Sequence, residues 1–431
     1  MLWIQDRRIW ITFCSLVLLL GCSGQRKMMP TPNLYVDSGP GLYEDLAPDL
    51  QTSEVPIFYV TDRVPEKDEN GKLKYGYGRS ASQAFGKALV ALGDDLTWEQ
   101  LKEASRTNKR LEPVNLKVLD IEEIVRGPNS PIPYKEVNGE IIEQESFVEE
   151  RTKGNEVIHQ AVARQLALSP RKEVFIFVHG YHDTFEDGVF VMAELWHFLG
   201  RYGVPIAYTW PAGHPGLFGY TYDSESTEFT VYHLRQLLIL LASFPEVEKI
   251  NLIGHSRGTD VVVTALRELT IAARAQGLDP KEIYKMHNFV IAAPDIDLQV
   301  AIQRIIGDHL ALSANRFTLY SSPKDKAMGA SKWLNASPRG RLGTLGVNKM
   351  PETMIATDKY SSANISFINF SGKKSEGGGG IGHSYFRKSP EVSSDLILML
   401  REDIDPGPPG RPLESLGQKF WKIPKGYPAL Q

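Results

Sequence analysis

The chain has 431 residues, of which 42% are hydrophobic and 23% are charged. These values are ordinary for a globular protein with a large buried core, and they exclude a disordered or fibrous chain. The 48 basic and 52 acidic side chains leave a net charge of −4. Because no basic patch with interleaved aromatic residues occurs either, we expect no nucleic acid among the partners.

The first 22 residues predict export of the chain and attachment of a lipid. Arg7 and Arg8 form a positive n-region, and residues 9–20 form an apolar h-region that is too short to span a membrane. Leu-Leu-Gly-Cys at 19–22 is typical of a bacterial lipobox. The alternative is an ordinary signal peptide with a coincidental cysteine.

Cleavage before Cys22 would remove a signal peptide of residues 1–21, and with it Cys14, the only other cysteine. No intrachain disulfide would then be possible, which leaves Cys22 for lipidation. Ser23 at the next position resembles enterobacterial signals for the outer membrane. We therefore expect a bacterial cell-envelope protein, lipid-anchored to a membrane through Cys22.

Two segments precede the main body of the predicted fold. Residues 22–54 contain four prolines and predict an extended tether that lifts the protein off the bilayer. Residues 55–165 contain strand and helix patterns, and we expect an N-terminal extension packed on the core. The strand patterns lie at 56–60, 87–92 and 121–125, and the helical pattern lies at 145–168.

Residues 166–405 carry the pattern of a catalytic α/β domain. Strand and helix patterns alternate from 172 to 400, which predicts a mostly parallel, doubly wound sheet with helices on both faces. Residues 406–431 begin with a Pro/Gly-rich run and form a predicted tail. Phe420 and Trp421 in this tail could dock on the body or meet a partner.

Gly-His-Ser-Arg-Gly at 254–258 stands between a strand pattern at 249–253 and a helical pattern at 259–274. A G-x-S-x-G sequence on a strand-to-helix turn is a nucleophile elbow, in which glycines permit a sharp turn that exposes the serine hydroxyl. This context predicts Ser256 as a catalytic nucleophile. The alternative is a serine in an ordinary glycine turn.

A serine nucleophile needs a base and an acid, and in this arrangement both follow it in the chain. Only three histidines follow Ser256. His287 comes before a strand rather than after one, and His309 lies in an amphipathic stretch. His383 stands between the last strand with its glycine run and the final helix, so we predict His383 as the base.

The acid has more than one candidate. Asp325 follows the penultimate strand pattern, which is the usual position. Asp295 and Asp297 follow the preceding strand and are the alternatives. Whichever aspartate is not the acid would act as a helix cap or a hydrogen-bond acceptor.

Acyl transfer also needs donors for the developing oxyanion. The backbone N–H of Arg257 and that of Tyr181, in the loop after the strand at 173–178, are the predicted donors. His179 and His182 could suggest a metal pair, but no H-E-x-x-H and no cysteine pair occurs, so we expect no metal. A G-x-G-x-x-G at 377–382 opens no helix and predicts a flexible loop, so we expect no cofactor.

Several motifs occur together in an order that resembles a bacterial alpha/beta-hydrolase family of formerly unknown function. The motifs are Val-His-Gly-Tyr at 178–181, Thr-Trp-Pro at 209–211, Tyr-Asp-Ser-Glu-Ser at 222–226, Gly-His-Ser-Arg-Gly at 254–258, Ala-Pro-Asp at 293–295, Leu-Tyr-Ser-Ser at 319–322 with Asp325, and an amino-terminal block at 57–63 and 75–79.

The resemblance covers about residues 55–400 and implies an alpha/beta-hydrolase fold and a serine-hydrolase mechanism. Arg257 departs from the family, which more usually has methionine or another apolar residue there. Its cation would suit a substrate carboxylate, or it is an outward-facing structural arginine.

These observations predict a carboxylic ester hydrolase that acts through an acyl-enzyme on a small-molecule or lipid ester. Amide and thioester substrates remain open. The alternative from another class is a noncatalytic envelope protein that uses a hydrolase scaffold for binding.

Overall fold

The computed structural model describes residues 25–36, 41–216, 218–325, 327–328, 331, 340–346, 364–371 and 383–428. Cys22 with its lipobox, and the glycine run at 377–382, lie outside the described residues. No helix within the described ranges has the length and apolarity needed to cross a bilayer.

Within the described residues, eleven strands form one sheet, in the order β12-β13-β11-β10-β9-β8-β6-β7-β1-β2-β3, and β4 and β5 form a separate hairpin. The strands are β1 Glu54–Lys67, β2 Leu73–Leu92, β3 Leu116–Arg126, β4 Tyr134–Val137, β5 Glu140–Glu143, β6 Glu173–Val178, β7 Val204–Thr209, β8 Lys249–His255, β9 Met286–Ala292, β10 Arg316–Ser321, β11 Ile365–Asn369, β12 Glu414–Gly417 and β13 Phe420–Lys422.

Pairing is parallel from β1 through β7, β6, β8, β9, β10 and β11 to β13. It is antiparallel at both margins, between β1, β2 and β3 and between β12 and β13. All six residues of β6 are buried, as expected for a parallel strand covered on both faces. The predicted doubly wound α/β fold is confirmed.

Helices cover both faces of this sheet. They are α1 Trp98–Ala104, α2 Glu145–Ala167, α3 Phe185–Phe198, α4 Gly219–Ser243, α5 Gly258–Ala275, α6 Pro280–Ile283, α7 Leu298–Ile302, α8 Tyr385–Lys388 and α9 Pro390–Leu400. The buried residues of α2, α4 and α5 belong to one core cluster, and those of α3 and α9 belong to a second cluster.

The predicted tether at 22–54 is wrong for its described part. Residues 28–50 contribute seven buried apolar side chains to the cluster of α3 and α9: Met28, Met29, Tyr35, Leu42, Tyr43, Leu46 and Leu50. The Tyr43 hydroxyl lies 2.6 Å from His197 Nε2 in α3. The prolines separate apolar residues that find a partner surface, and burial of those residues outweighs the tendency of proline to extend the chain.

The C-terminal tail docks on the body of the protein. β13 extends the sheet beyond β11, and Phe420 stacks on Phe367 with ring centroids 4.6 Å apart. Arg411 is fully buried and donates to both carboxylate oxygens of Asp395 at 2.8 Å. The Tyr427 hydroxyl donates to the same carboxylate at 2.8 Å.

Candidate active site

Ser256 occupies a strained turn at the carboxyl edge of the sheet, between the end of β8 and the start of α5. Its φ is +53°, in the left-handed region that non-glycine residues seldom adopt. The turn is held by the Ser256 N–H, which donates to Ala292 O at 3.0 Å, and by the Ser256 carbonyl, which accepts from Asp295 N at 3.2 Å. The surrounding sheet therefore fixes the strained backbone.

The glycines of this turn provide space rather than unusual torsion angles. A Cβ on Gly258 would lie 2.1 Å from His179 O, and one on Gly254 would lie 2.6 Å from Val262 Cγ2. Gly180 in the loop after β6 passes equally close, because its Cβ would lie 2.7 Å from Ser256 Cβ. The backbone strain of this turn thus lies at the serine, and the glycines allow two segments to approach it.

Asp325 and His383 form the second part of the site. His383 Nδ1 lies 2.7 Å from Asp325 Oδ2, and the Asp325 side chain is completely buried. The other carboxylate oxygen accepts the backbone N–H groups of Ala327 and Met328. Asp325 is therefore fixed from both sides, and it holds Nδ1 of the histidine while Nε2 remains available for proton transfer.

His383 stands next to the elbow, with its ring 4.9 Å from that of His255, the residue before Ser256. Burial and then the nearby His383 hold the pKa of His255 well below its ordinary value, so this neighbour of His383 is uncharged. Among the described residues the Ser256 hydroxyl has no hydrogen-bond partner. Such bonds often form only when substrate binds.

Neither alternative aspartate is bonded to His383. Asp295 accepts from Arg341 Nε at 2.6 Å. The Asp297 side chain caps α7 by accepting from Gln299 N at 2.9 Å. The contacts single out Asp325 as the partner of the histidine, while the other two have the structural roles expected of the remaining candidates.

The predicted oxyanion donors are the N–H groups of Tyr181 and Arg257, and neither has an acceptor within the part of the chain that is described. The amides on both sides of Tyr181 are engaged: Gly180 N donates to Asp183 Oδ2 at 2.8 Å, and His182 N donates to Asp223 Oδ2 at 3.1 Å. Two carboxylates thus pin the loop and leave the amide between them for a ligand.

The Arg257 side chain is engaged within the protein. Its Nη2 lies 3.3 Å from Asp260 Oδ2, and its Nη1 donates to Asp295 O at 3.3 Å. Because only 13% of the side chain is exposed, it is not outward-facing. These contacts favour a structural role over recognition of a substrate carboxylate.

His179 supports the loop that carries Tyr181. Burial, and then the neighbouring Arg63, lower the pKa of His179 to about 3, so the ring is neutral. It stacks on Trp210 with centroids 5.2 Å apart, and its Nδ1 lies 3.0 Å from Gly180 O. In the described ranges no group of three or more His, Cys, Asp or Glu side chains could hold a metal ion.

Arg63 is a supporting residue that sequence reasoning did not single out. Its guanidinium donates to the carbonyls of Gly76, Ala212 and Asp183 at 2.7 to 3.0 Å. It thereby joins the β1–β2 ribbon, the loop after β7 and the loop of Tyr181. Burial lowers the pKa of Arg63 to about 10. Its place in the amino-terminal block at 57–63 was the available signal.

Sequence reasoning also missed a second set of Ser, His and Asp side chains. Ser130 Oγ lies 2.7 Å from His233 Nε2, and His233 Nδ1 lies 3.1 Å from Asp62 Oδ2. Asp62 directly follows Thr61, the last residue of β1 that pairs with β7, and His233 lies within α4. No pattern in the sequence links these three residues.

A family model described as alpha/beta hydrolase of unknown function (DUF900) matches residues 155–401. No curated protein matches the chain. Because the matched region is more than half of the chain, the protein belongs to this alpha/beta-hydrolase family.

Proposed function

We propose that the protein hydrolyses carboxylic esters, with Ser256 as nucleophile, His383 as general base and acid, and Asp325 as the residue that orients the histidine. The backbone N–H groups of Tyr181 and Arg257 stabilise the oxyanion. The observation that carries the proposal is the Asp325–His383 bond beside a strained serine flanked by two amides without acceptors.

The steps follow from these positions. Nε2 of His383 takes the proton of Ser256 as Oγ attacks the ester carbonyl, and the carbonyl oxygen becomes an oxyanion held by the two N–H groups. The C–O bond to the alcohol then breaks, and the alcohol leaves with the proton from His383. Water attacks the acyl-enzyme with the same histidine as base, which releases the acid and restores Ser256.

The competing functions are hydrolysis of amide or thioester bonds and binding without catalysis. A protein that only binds has no need of a strained serine with unpaired amides, because the strain costs about 1–3 kcal/mol of stability. These features favour an enzyme. They do not rank the leaving groups.

The test is covalent labelling of the purified chain with a fluorophosphonate probe, together with turnover of short p-nitrophenyl esters. The wild type should be labelled at Ser256 with loss of fluoride, and Ser256→Ala and His383→Ala should not be labelled. A folded wild type that neither reacts with the probe nor turns over esters would contradict the proposal and favour the binding function.

A further inference from the structure

The docked amino-terminal segment limits how far a lipid on Cys22 could lie from the body of the protein. Met28 N donates to Val114 O at 2.8 Å, and Leu116 N donates to Arg26 O at 2.6 Å. The chain is thus held to the body from Arg26 onward. Cys22 stands four positions before Arg26, and four steps of at most about 3.6 Å place it no more than roughly 14 Å from Arg26.

Arg26 lies close to the loop that carries Tyr181. Its Nη1 is 3.0 Å from Asp187 Oδ1, and Asp187 belongs to the first turn of α3, directly after that loop. Its Nη2 is 3.3 Å from the buried Glu194, about two turns further along α3. The Arg26 backbone is bonded to the first residue of β3, while its guanidinium reaches the first turn of α3. An anchor within roughly 14 Å of Arg26 is therefore close enough to reach the edge of the sheet where α3 begins and Ser256 lies.

The same edge exposes large aromatic side chains. We define the aromatic rim as Tyr77, Tyr181 and Phe218, which are 42%, 37% and 79% exposed. Tyr77 lies on the β1–β2 ribbon, which continues past the end of the β1–β7 pairing at Thr61 and Thr209. Tyr181 is the predicted oxyanion residue, and Phe218 precedes α4 in the loop after β7.

Contacts tie the rim to the surroundings of the site. The Tyr77 ring lies 4.8 Å from His214, and the Tyr181 ring lies 5.4 Å from Tyr220, which belongs to the first turn of α4. Aromatic side chains with apolar bodies and polar tips favour the boundary between lipid headgroups and acyl chains. A short lipid anchor and an aromatic rim on the same edge of the sheet together favour a lipid bilayer as the partner of this surface.

We propose that the aromatic rim docks on the membrane surface and presents the Ser256 site to acyl esters held in the bilayer. This inference rests on the proposed ester hydrolysis and names its substrate class. Water would split a bilayer ester into a fatty acid and an alcohol through the acyl-enzyme at Ser256. The short anchor keeps the site at the surface from which these substrates are drawn.

The first test measures docking without catalysis. The full-length lipidated protein, with Phe218→Cys or Leu278→Cys carrying a fluorophore, is placed on phospholipid vesicles that contain doxyl-labelled lipids. Leu278 is 45% exposed and follows α5, whose 18 residues lead about 27 Å away from Ser256. We expect strong quenching at position 218 and little at 278. Equal quenching at the two positions, or quenching at 278 alone, would overturn the proposal.

The second test compares substrates. Phe218→Asp should lower the ratio of phospholipid-vesicle hydrolysis to p-nitrophenyl acetate hydrolysis by about tenfold, because a carboxylate is costly at the bilayer boundary. Leu278→Asp is the matched control and should leave this ratio within about twofold of the wild type. An unchanged ratio in Phe218→Asp would contradict the membrane inference.

The two proposals fail in different ways. If the wild type hydrolyses neither substrate, ester hydrolysis fails, while the quenching result still reports the orientation. If p-nitrophenyl acetate is hydrolysed but positions 218 and 278 are quenched alike, only the membrane inference fails.

Discussion

The described part of the molecule contains two Ser-His-Asp sets, and the one with the more complete hydrogen bonds has the surroundings less suited to acyl transfer. Ser130 is bonded to His233 at 2.7 Å, whereas the Ser256 hydroxyl has no partner among the described residues. Yet the Ser130 N–H donates to Ala81 O at 2.8 Å, and its hydroxyl lies 2.9 Å from the same oxygen. The amide and the hydroxyl of Ser130 are therefore both engaged by one carbonyl.

Ser256 differs in its backbone. It has a φ of +53°, and it lies beside two amides that have no acceptor in the described part of the chain. A hydrogen-bonded Ser-His-Asp set alone is therefore not enough to make its serine a nucleophile. Under the proposed function, the strained backbone and the donors for an oxyanion distinguish the Ser256 set from the Ser130 set.

The largest expected difference is in the rate of ester hydrolysis after replacement of one or the other serine. Ser256→Ala should lower ester hydrolysis by about 10³-fold or more, because the covalent route is lost. Ser130→Ala should change the rate by less than about twofold, because the N–H of Ser130 is bonded to Ala81 O and the next residue, Pro131, has no N–H for an oxyanion. Initial rates with p-nitrophenyl acetate measure both. Comparable losses in the two variants would show that the sets are not distinct.

Replacement of Asp325 or Asp62 tests the same comparison at the aspartate of each set. Asp325→Asn should lower the rate by about 10²- to 10⁴-fold, because the amide cannot hold His383 in the required tautomer. Asp62→Asn should leave the rate within about threefold and should instead lower the melting temperature, because Asp62 is buried against His233 and Tyr208. Rates and thermal unfolding of both variants separate these effects. A larger rate loss for Asp62→Asn would reverse the assignment.

Replacement of His233 should affect stability alone. His233 joins α4 to Ser130 and Asp62, so His233→Ala should lower the free energy of unfolding by about 2–3 kcal/mol while probe labelling of Ser256 continues. His383→Ala is the matched variant and should show the opposite pattern, with labelling lost and stability nearly kept. Urea unfolding and the labelling rate are the measurements. Loss of labelling in a folded His233→Ala protein would give this histidine a part in the chemistry.

The smallest expected effect is a dependence of stability on pH, which comes from His179 beside the loop of Tyr181. Folding lowers the pKa of His179 from its ordinary value of about 6.5 to about 3. At a pH between these two values, His179 is protonated in the unfolded chain but not in the folded chain. The free energy of unfolding should fall by about 2 kcal/mol from this group between pH 7 and pH 5. His179→Phe should show a shallower decline in urea unfolding across that range. If the dependence of the unfolding free energy on pH is the same in both proteins, folding does not lower the pKa of His179.

Local sequence predicted most of the reactive region. The elbow is one contiguous strand, turn and helix, so Ser256 could be placed from its neighbours alone. Chain order suggested His383 and offered Asp325 beside two alternatives, and only the fold shows which carboxylate lies against the histidine. The catalytic roles of these residues stay predictions.

The remaining features depend on contacts between distant residues. The Ser130 set joins residues as far as 171 positions apart, so no local pattern could reveal it. The tether was mispredicted for the same reason. Its prolines are visible in the sequence, but the surface of α3 and α9 that buries Tyr43 and Leu50 exists only after folding.

The docked ends of the chain have a consequence for the order of folding. Asn33 donates to Tyr427 O across 394 positions, and the buried Asp395 depends on Arg411 for its ion pair. The amino-terminal segment therefore cannot complete its contacts until residue 427 is present in the folding chain. We expect protease resistance to appear only once the segment that contains Arg411 and Tyr427 has docked. A chain cut back to residues 155–401 would leave Asp395 buried without its arginine, at a cost of about 3–5 kcal/mol.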